Sequence, residues 1–336
     1  MGNLIHRCLA SLILLPLVMA FVVMTGCGKS PQVAPAAESR PEAATLSTFV
    51  EIRAMLESGE LTSAQLVQAH LDRIAAYDRQ GPALNAMITL NTAALATAQA
   101  LDAERRQRGP RGPLHGIPVI LKDNYDTGDM PTTGGSVLLA TGKPADDAYV
   151  VTRLRDAGAV ILGKANMSEF ALSYGWLGYG SRVGQTRNPH NPLRDPSGSS
   201  SGSAASVAAG YAVLGTGTDT AGSIRGPAAV CGVVGIKPTM GLLSRDGIIP
   251  ASLSLDVAGP LARSVAGAAH MLAVMAGSDP AVPATAAEGR RDFDLEAALT
   301  PGALQGTRLG VVRAFAGANA DVDSVFAGIL ELLESQ

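Results

Sequence analysis

The sequence predicts an α/β protein in which helices cover a mostly buried β-sheet. Short apolar runs such as IPVIL (117–121) and AVILG (159–163) have the length of strands, and the first is bounded by Gly116 and polar residues. Stretches with helical apolar spacing alternate with these runs, the pattern of layered α/β proteins. Hydrophobic residues make up 47% of the 336 positions and charged residues 16%, which is ample for a deep core. Aromatics are only 4%, so that core must be built from Ala, Val, Leu and Ile.

The N-terminus reads as a targeting segment. His6 and Arg7 precede LASLILLPLVMAFVVMT (9–25), and Gly26-Cys27 follows. A weakly basic start, an apolar stretch and small residues before a cysteine describe an export signal over 1–27. Thr25-Gly26-Cys27 resembles a bacterial lipoprotein box, with Met24 where Leu is usual. Cys27 would then carry lipid as the first mature residue, and the protein would sit in the periplasm on a lipid anchor. A plain N-terminal anchor helix is the rival reading. Residues 28–45 are rich in Pro, Ala and Ser and read as a flexible tether, with the ordered domain starting near Leu46 and running to 336.

Helices come first in the domain. Phe49, Ile52 and Leu56 keep helical spacing. Thr62 offers a cap before Leu66, Val67, His70, Leu71 and Ile74, with His70 read as a packed or surface residue. Thr92–Arg108 reads as a third helix. After IPVIL come a helix over Tyr149–Ala157, the AVILG strand and a small-residue helix over Ser203–Tyr211. YAVLGTG, CGVVGIK and RLGVV (308–312) supply further expected strands, and the apolar face of Val322, Val325, Phe326, Ile329, Leu330 and Leu333 a last helix. A βα unit ordinarily returns to its sheet, so the sequence is expected to be incomplete at its C-terminal end.

Charge and cysteine content narrow the chemistry. Net charge is −3, which leaves no basic footprint for nucleic acid. Of the three cysteines, Cys8 would leave with the signal and Cys27 would carry lipid, so Cys231 has no partner for an intramolecular disulfide. No cysteine pair has zinc spacing and the five histidines are scattered, so neither metal nor cofactor is expected.

Three serine- and glycine-rich stretches remain: LKDNYDT (121–127), DPSGSSSGSAA (195–205) and GTDTAGSIRGP (217–227). Phosphate loops fit poorly. Gly28-Lys29-Ser30 has the tail of a Walker loop, but position 23 is Val; after Gly215 and Gly217, position 220 is Thr rather than Gly. GSSSG (198–202) matches a hydrolase elbow centred on Ser200, with Asp256 and His270 downstream as the available acid and base.

Read together, the stretches GIPVILKDNYDT, PSGSSSGSAASVAAG and GTDTAGSIRGPAAVCGVVGIKPTMG resemble the amidase signature family from about Leu46 onward, most strongly over 115–260. The family's segments usually read P-G-G-S-S-G-G-S and G-T-D-x-G-G-S-I-R. The resemblance implies a mixed β-sheet covered by helices and a Ser–Ser–Lys triad. Ser223 matches the nucleophile, Ser199 the bridging serine that follows a cis peptide bond, and Lys122 the base. The separation of Ser199 from Ser223 agrees with the family pattern. The backbone N–H groups of Thr220, Ala221, Gly222 and Ser223 would hold the tetrahedral oxyanion.

A lysine is a base only when neutral, and burial favours its neutral form. Asp219 and Arg225 are expected to brace the loop; Arg225 is also a candidate to hold a substrate carboxylate. Ser200 and Thr218 read as loop hydrogen-bonders, Cys231 as a core residue on a strand, and Trp176 as either core or pocket wall. Three departures from the family pattern stand at Ser197, Ser201 and Ala221; a positive φ at Ala221 would be unfavourable.

The implied function is hydrolysis of a small-molecule carboxamide to a carboxylate and ammonia or an amine. Two rival functions are an amidotransferase component, which requires ATP, tRNA and partner subunits in the cytoplasm, and a binding lipoprotein with an inactive catalytic fold.

Overall fold

The computed structural model describes residues 40–172, 176–287 and 294–335. The expected signal, Cys27 and the tether up to residue 39 lie outside the described residues. The elements, in chain order, are α1 (Arg40–Ala44), α2 (Phe49–Ser58), α3 (Ser63–Tyr77), β1 (Met87–Leu90), α4 (Ala94–Arg108), β2 (Pro118–Lys122), α5 (Tyr149–Asp156) and β3 (Val160–Ala165). They continue with β4 (Tyr179–Gly180), β5 (Gly184–Gln185), α6 (Ser201–Ala208), β6 (Leu214–Asp219), α7 (Arg225–Val230), β7 (Val234–Gly235), β8 (Val257–Ala262), α8 (Val265–Met275), α9 (Leu295–Leu299) and α10 (Ala320–Glu334).

Local chemistry sets the first helices. Glu51 accepts the Thr48 N–H at 2.6 Å while the Thr48 hydroxyl accepts the Glu51 N–H, a reciprocal cap at the start of α2. Thr62 and Gln65 repeat the device at α3, where the sequence placed a cap. α1 corrects the tether: residues 40–44 are helical and Ala44 and Thr45 are buried, so the ordered chain begins before Leu46.

The main sheet is mixed, in the order β1-β3-β2-β6-β8-β7. The neighbours β3, β2 and β6 run parallel, and antiparallel pairs flank them on both sides. Side chains alternate across β2. Val119 and Leu121 join one core with α2, α5 and α8, while Ile120 joins the other with α3, α4, α6 and α7. Every residue of β2, β3, β6 and β8 is buried, the mark of a sheet covered on both faces.

Several expected strands differ. RLGVV forms no strand; Leu309, Val311 and Val312 are exposed, and no strand flanks them among the described residues. A strand exists only through its partner's hydrogen bonds. CGVVGIK contributes only Val234–Gly235 to the sheet, because Cys231 instead ends α7. β1 and β8 were not foreseen, and β8 contains Pro260, which weakens a strand signal. α10 forms as expected, with Val322, Val325, Phe326 and Ile329 exposed.

Candidate active site

Parallel neighbours β2 and β6 end on the same side of the sheet, where ligands gather in open α/β sheets. β2 ends on Lys122 and β6 on Asp219, so the register delivers an amine and a carboxylate to one edge. The Lys122 N–H donates to Thr216 Oγ1 at 3.0 Å, which pins the end of β2 to β6.

The Lys122 side chain is fully buried. Its Nζ lies 2.7 Å from Ser199 Oγ, 2.7 Å from Thr218 Oγ1 and 3.4 Å from the Thr218 carbonyl. Burial pushes the amine down to about 7, against an opposing pull from the Asp219 and Asp256 carboxylates. Near neutral pH a large share of the amine is therefore unprotonated, and its lone pair can accept a proton from Ser199.

The Ser199 loop is held by close backbone contacts. The Gly198–Ser199 peptide bond is cis, as the resemblance implied. Ser168 N–H donates to the Ser199 carbonyl at 3.1 Å, and Ser200 N–H donates to the Ser223 carbonyl at 3.1 Å. The Ser200 hydroxyl donates to the Thr218 carbonyl and accepts the Thr218 N–H, each at 3.2 Å. A Cβ on Gly198 would fall 2.4 Å from Ser168 Oγ; one on Gly202 would fall 2.4 Å from the carbonyls of Ala86 and Asn166. Both positions need glycine for close approach.

Asp219 shapes the Ser223 loop. Its carboxylate accepts the N–H groups of Gly222 (2.8 Å), Ile224 (3.0 Å) and Arg225 (3.3 Å), and the Arg225 guanidinium through two contacts of 3.1 Å. Burial raises this carboxyl, but the hydrogen bonds from Arg225, Ile224 and Gly222 outweigh it and hold the group down at about 2. Arg225 thus braces the loop, and its guanidinium is already engaged by a carboxylate.

The oxyanion expectation needs one change. The Gly222 N–H is taken by Asp219, so Gly222 serves the bend rather than the oxyanion. Among the described residues, no acceptor takes the N–H of Thr220, Ala221 or Ser223. The positive φ of this loop falls on Gly222 (129°), so Ala221 is accommodated. Ser197 does take a left-handed φ of 60°, and Asp195 accepts its N–H at 2.7 Å.

Ser223 is half-buried beside this group. Among the described residues, no hydrogen bond joins its hydroxyl to that of Ser199; the backbone bond from Ser200 brings the two loops together.

Other candidates take ordinary roles. Ser200 is tied to the Thr218 backbone and His270 packs its ring 5.2 Å from that of Phe49, which dissolves the elbow reading. Cys231 is buried, with its thiol pushed up to about 12 by burial, as a core residue should be. His70 is buried with Nδ1 2.8 Å from the Gly210 carbonyl, and Trp176 is 70% exposed rather than core.

Three features escaped the sequence reading. Thr218 touches the Lys122 amine directly. Asp256 accepts the Thr220 hydroxyl at 2.5 Å. Lys164, buried in β3, donates to the Tyr125 carbonyl at 2.6 Å and to Thr132 Oγ1 at 2.9 Å, with Asp123 Oδ1 at 3.7 Å. The one available signal was position, since Asp123 and Lys164 sit at or beside strand ends.

A cavity of about 440 Å³ opens on the Thr218–Thr220 side of this cluster, walled by Ile249, Leu253, Val257 and Val282 among others. A larger one, about 660 Å³, lies between α1, α3 and α4 and contains none of the expected site residues.

The Amidase family model matches residues 65–336. The chain belongs to the amidase family. It is 48% identical over 275 residues to a glutamyl-tRNA(Gln) amidotransferase subunit of Acidothermus cellulolyticus, covering 82% of this chain and 53% of the relative. The corresponding protein of Roseiflexus castenholzii is 46% identical over 292 residues, covering 86% and 58%. The native peptide amidase of Stenotrophomonas maltophilia superposes with a TM-score of 0.81 at 47% identity, covering 88% of this chain and 61% of that one. The chain thus spans a little over half the length of these curated relatives. Lys122, Ser199 and Ser223 all fall inside the amidase family match.

The buried amine gives a direct expectation. Lys122 should titrate near pH 7 instead of about 10.4. Lysine-selective NMR, with Lys122→Arg for assignment, reads this; a midpoint above pH 10 contradicts the geometry.

Proposed function

We propose that the protein is an amidase that hydrolyses a carboxamide through an acyl-enzyme on Ser223. The observation that carries this reading is the buried Lys122 amine, 2.7 Å from Ser199 Oγ and lowered to about 7. A serine hydroxyl is a poor nucleophile until a base takes its proton. In the proposed reaction Ser223 Oγ attacks the amide carbonyl carbon. Its proton moves to Ser199 Oγ, whose own proton moves to Lys122 Nζ. The Ser223–Ser199 link closes as substrate binds, since catalytic hydrogen bonds are often long in free enzymes.

The N–H groups of Thr220, Ala221 and Ser223 hold the oxyanion, each such donor being worth about 3 kcal/mol of barrier. The relay then returns a proton to the leaving nitrogen, the C–N bond breaks, and ammonia or an amine departs. Water, deprotonated by the same relay, attacks the ester and releases a carboxylate, which restores the Ser223 hydroxyl. No step calls for a metal or cofactor. The aliphatic walls of the 440 Å³ cavity favour an apolar group on the substrate.

Ammonia release from a panel of aliphatic and aromatic amides tests this. Ser223→Ala and Lys122→Ala should each lower kcat by at least about 10³-fold, as removing a member of a catalytic unit does. A folded parent without turnover on any amide contradicts the reading, as does a Lys122→Ala variant that keeps parental turnover.

A second reading draws on the curated relatives, which are named amidotransferase subunits. Under it the same serine would release ammonia from an amide donor for use by a partner protein. Turnover of simple amides by the isolated chain argues for the first reading.

The export reading is also proposed: residues 1–27 direct secretion and Cys27 carries a lipid that tethers the domain to a membrane. The motif MTGC after the apolar run supports it. Among the described residues no helix is long and apolar enough to cross a membrane. In a secreting bacterial host, Cys27→Ser should move the protein from the membrane to the soluble fraction; unchanged fractionation argues against lipidation.

A further inference from the structure

Asp256 stands immediately before β8 and is 9% exposed. Its carboxylate is bonded on two sides. Oδ1 accepts the Thr220 hydroxyl at 2.5 Å, and Oδ2 accepts the N–H groups of Ala251 (2.7 Å) and Ser252 (2.8 Å). Arg245 closes the same turn by donating to the carbonyls of Leu253 (2.7 Å) and Asp256 (3.3 Å). The turn 249–256 thus becomes a fixed wall of the 440 Å³ cavity, to which it contributes Ile249, Pro250, Ala251 and Leu253. Thr220 is the first residue after β6 and the first of the free N–H donors beside Ser223.

We infer that Asp256 is a positioning residue that locks the cavity wall and the oxyanion loop into one register through the Thr220 hydroxyl. A group seated in the cavity and the carbonyl under attack are then fixed relative to each other. A charge-assisted bond to a buried carboxylate is among the stronger hydrogen bonds available to a hydroxyl, which suits a mechanical link. Elsewhere the end of β6 and the turn are joined by the β6–β8 ladder, where Asp219 pairs with Val257, and by Asn124, whose Nδ2 donates to Thr218 Oγ1 (3.2 Å) and to the Ile249 carbonyl (3.4 Å). The consequence for specificity rests on the amidase reading; the link between the loops does not.

Thr220→Val removes the hydroxyl and keeps the side-chain shape, and Thr220→Ser keeps the hydroxyl. Hydrogen–deuterium exchange on the full chain reads the link without turnover. In Thr220→Val, exchange should rise together in peptides covering 220–223 and 249–256, and Thr220→Ser should restore the parental pattern. Where the parent turns over, the ratio of kcat/KM for hexanamide to that for acetamide should fall by about tenfold in Thr220→Val, a loss typical of slight misplacement of a reacting group. Parental exchange across 249–256 in Thr220→Val overturns the inference, and so does an unchanged ratio. Coupled exchange in a parent that hydrolyses nothing upholds the link and removes the amidase reading alone.

Discussion

The site depends on one costly arrangement, a lysine amine taken out of water at the end of a fully buried strand. Desolvation penalises the charged form of Lys122, and the hydroxyls of Ser199 and Thr218 bond the amine in either protonation state. The Asp219 and Asp256 carboxylates temper the shift without forming an ion pair with the amine. A carboxylate in direct contact would have favoured the charged form of the amine more strongly. Lys164 has a carboxylate nearby, yet burial still lowers it to about 8, so the sheet interior is the stronger influence at both lysines.

The carboxylates have a second task, because each closes a loop. Asp219 gathers the N–H groups that would otherwise splay the 220–225 turn, and it consumes the Gly222 donor in doing so. Asp256 gathers Thr220, Ala251 and Ser252. Small residues around them allow the backbone to approach this closely. The bare sequence around Ser223 therefore reflects backbone organised by carboxylates, with three N–H groups left over for a transient oxyanion in the proposed mechanism.

Much of this was legible in the sequence. IPVIL marked β2 because a continuous apolar run suits a strand buried on both faces, and Lys122 stood at its end. The three glycine- and serine-rich motifs, taken in order, carried the resemblance to the family. The parts that failed depend on partners that the sequence does not place. RLGVV has strand composition but no neighbour to pair with among the described residues, while β8 carries a proline yet pairs along its whole length with β6. Asp256 was legible only as an available acid, since its role comes from a turn folding back onto Thr220. Gly222 looked like an oxyanion donor until the direction of the Asp219 carboxylate was known.

Covalent labelling of the nucleophile tests the serine–lysine relay most directly. A serine-reactive probe such as a fluorophosphonate, followed by peptide mass spectrometry between pH 5 and 9, reports both the site and its activation. A working relay gives a single label on Ser223, a labelling rate that falls as pH drops through about 7, and loss of that labelling in Lys122→Ala. Labelling at Ser199 or Ser200, or equal labelling of Ser223 with and without Lys122, would contradict it.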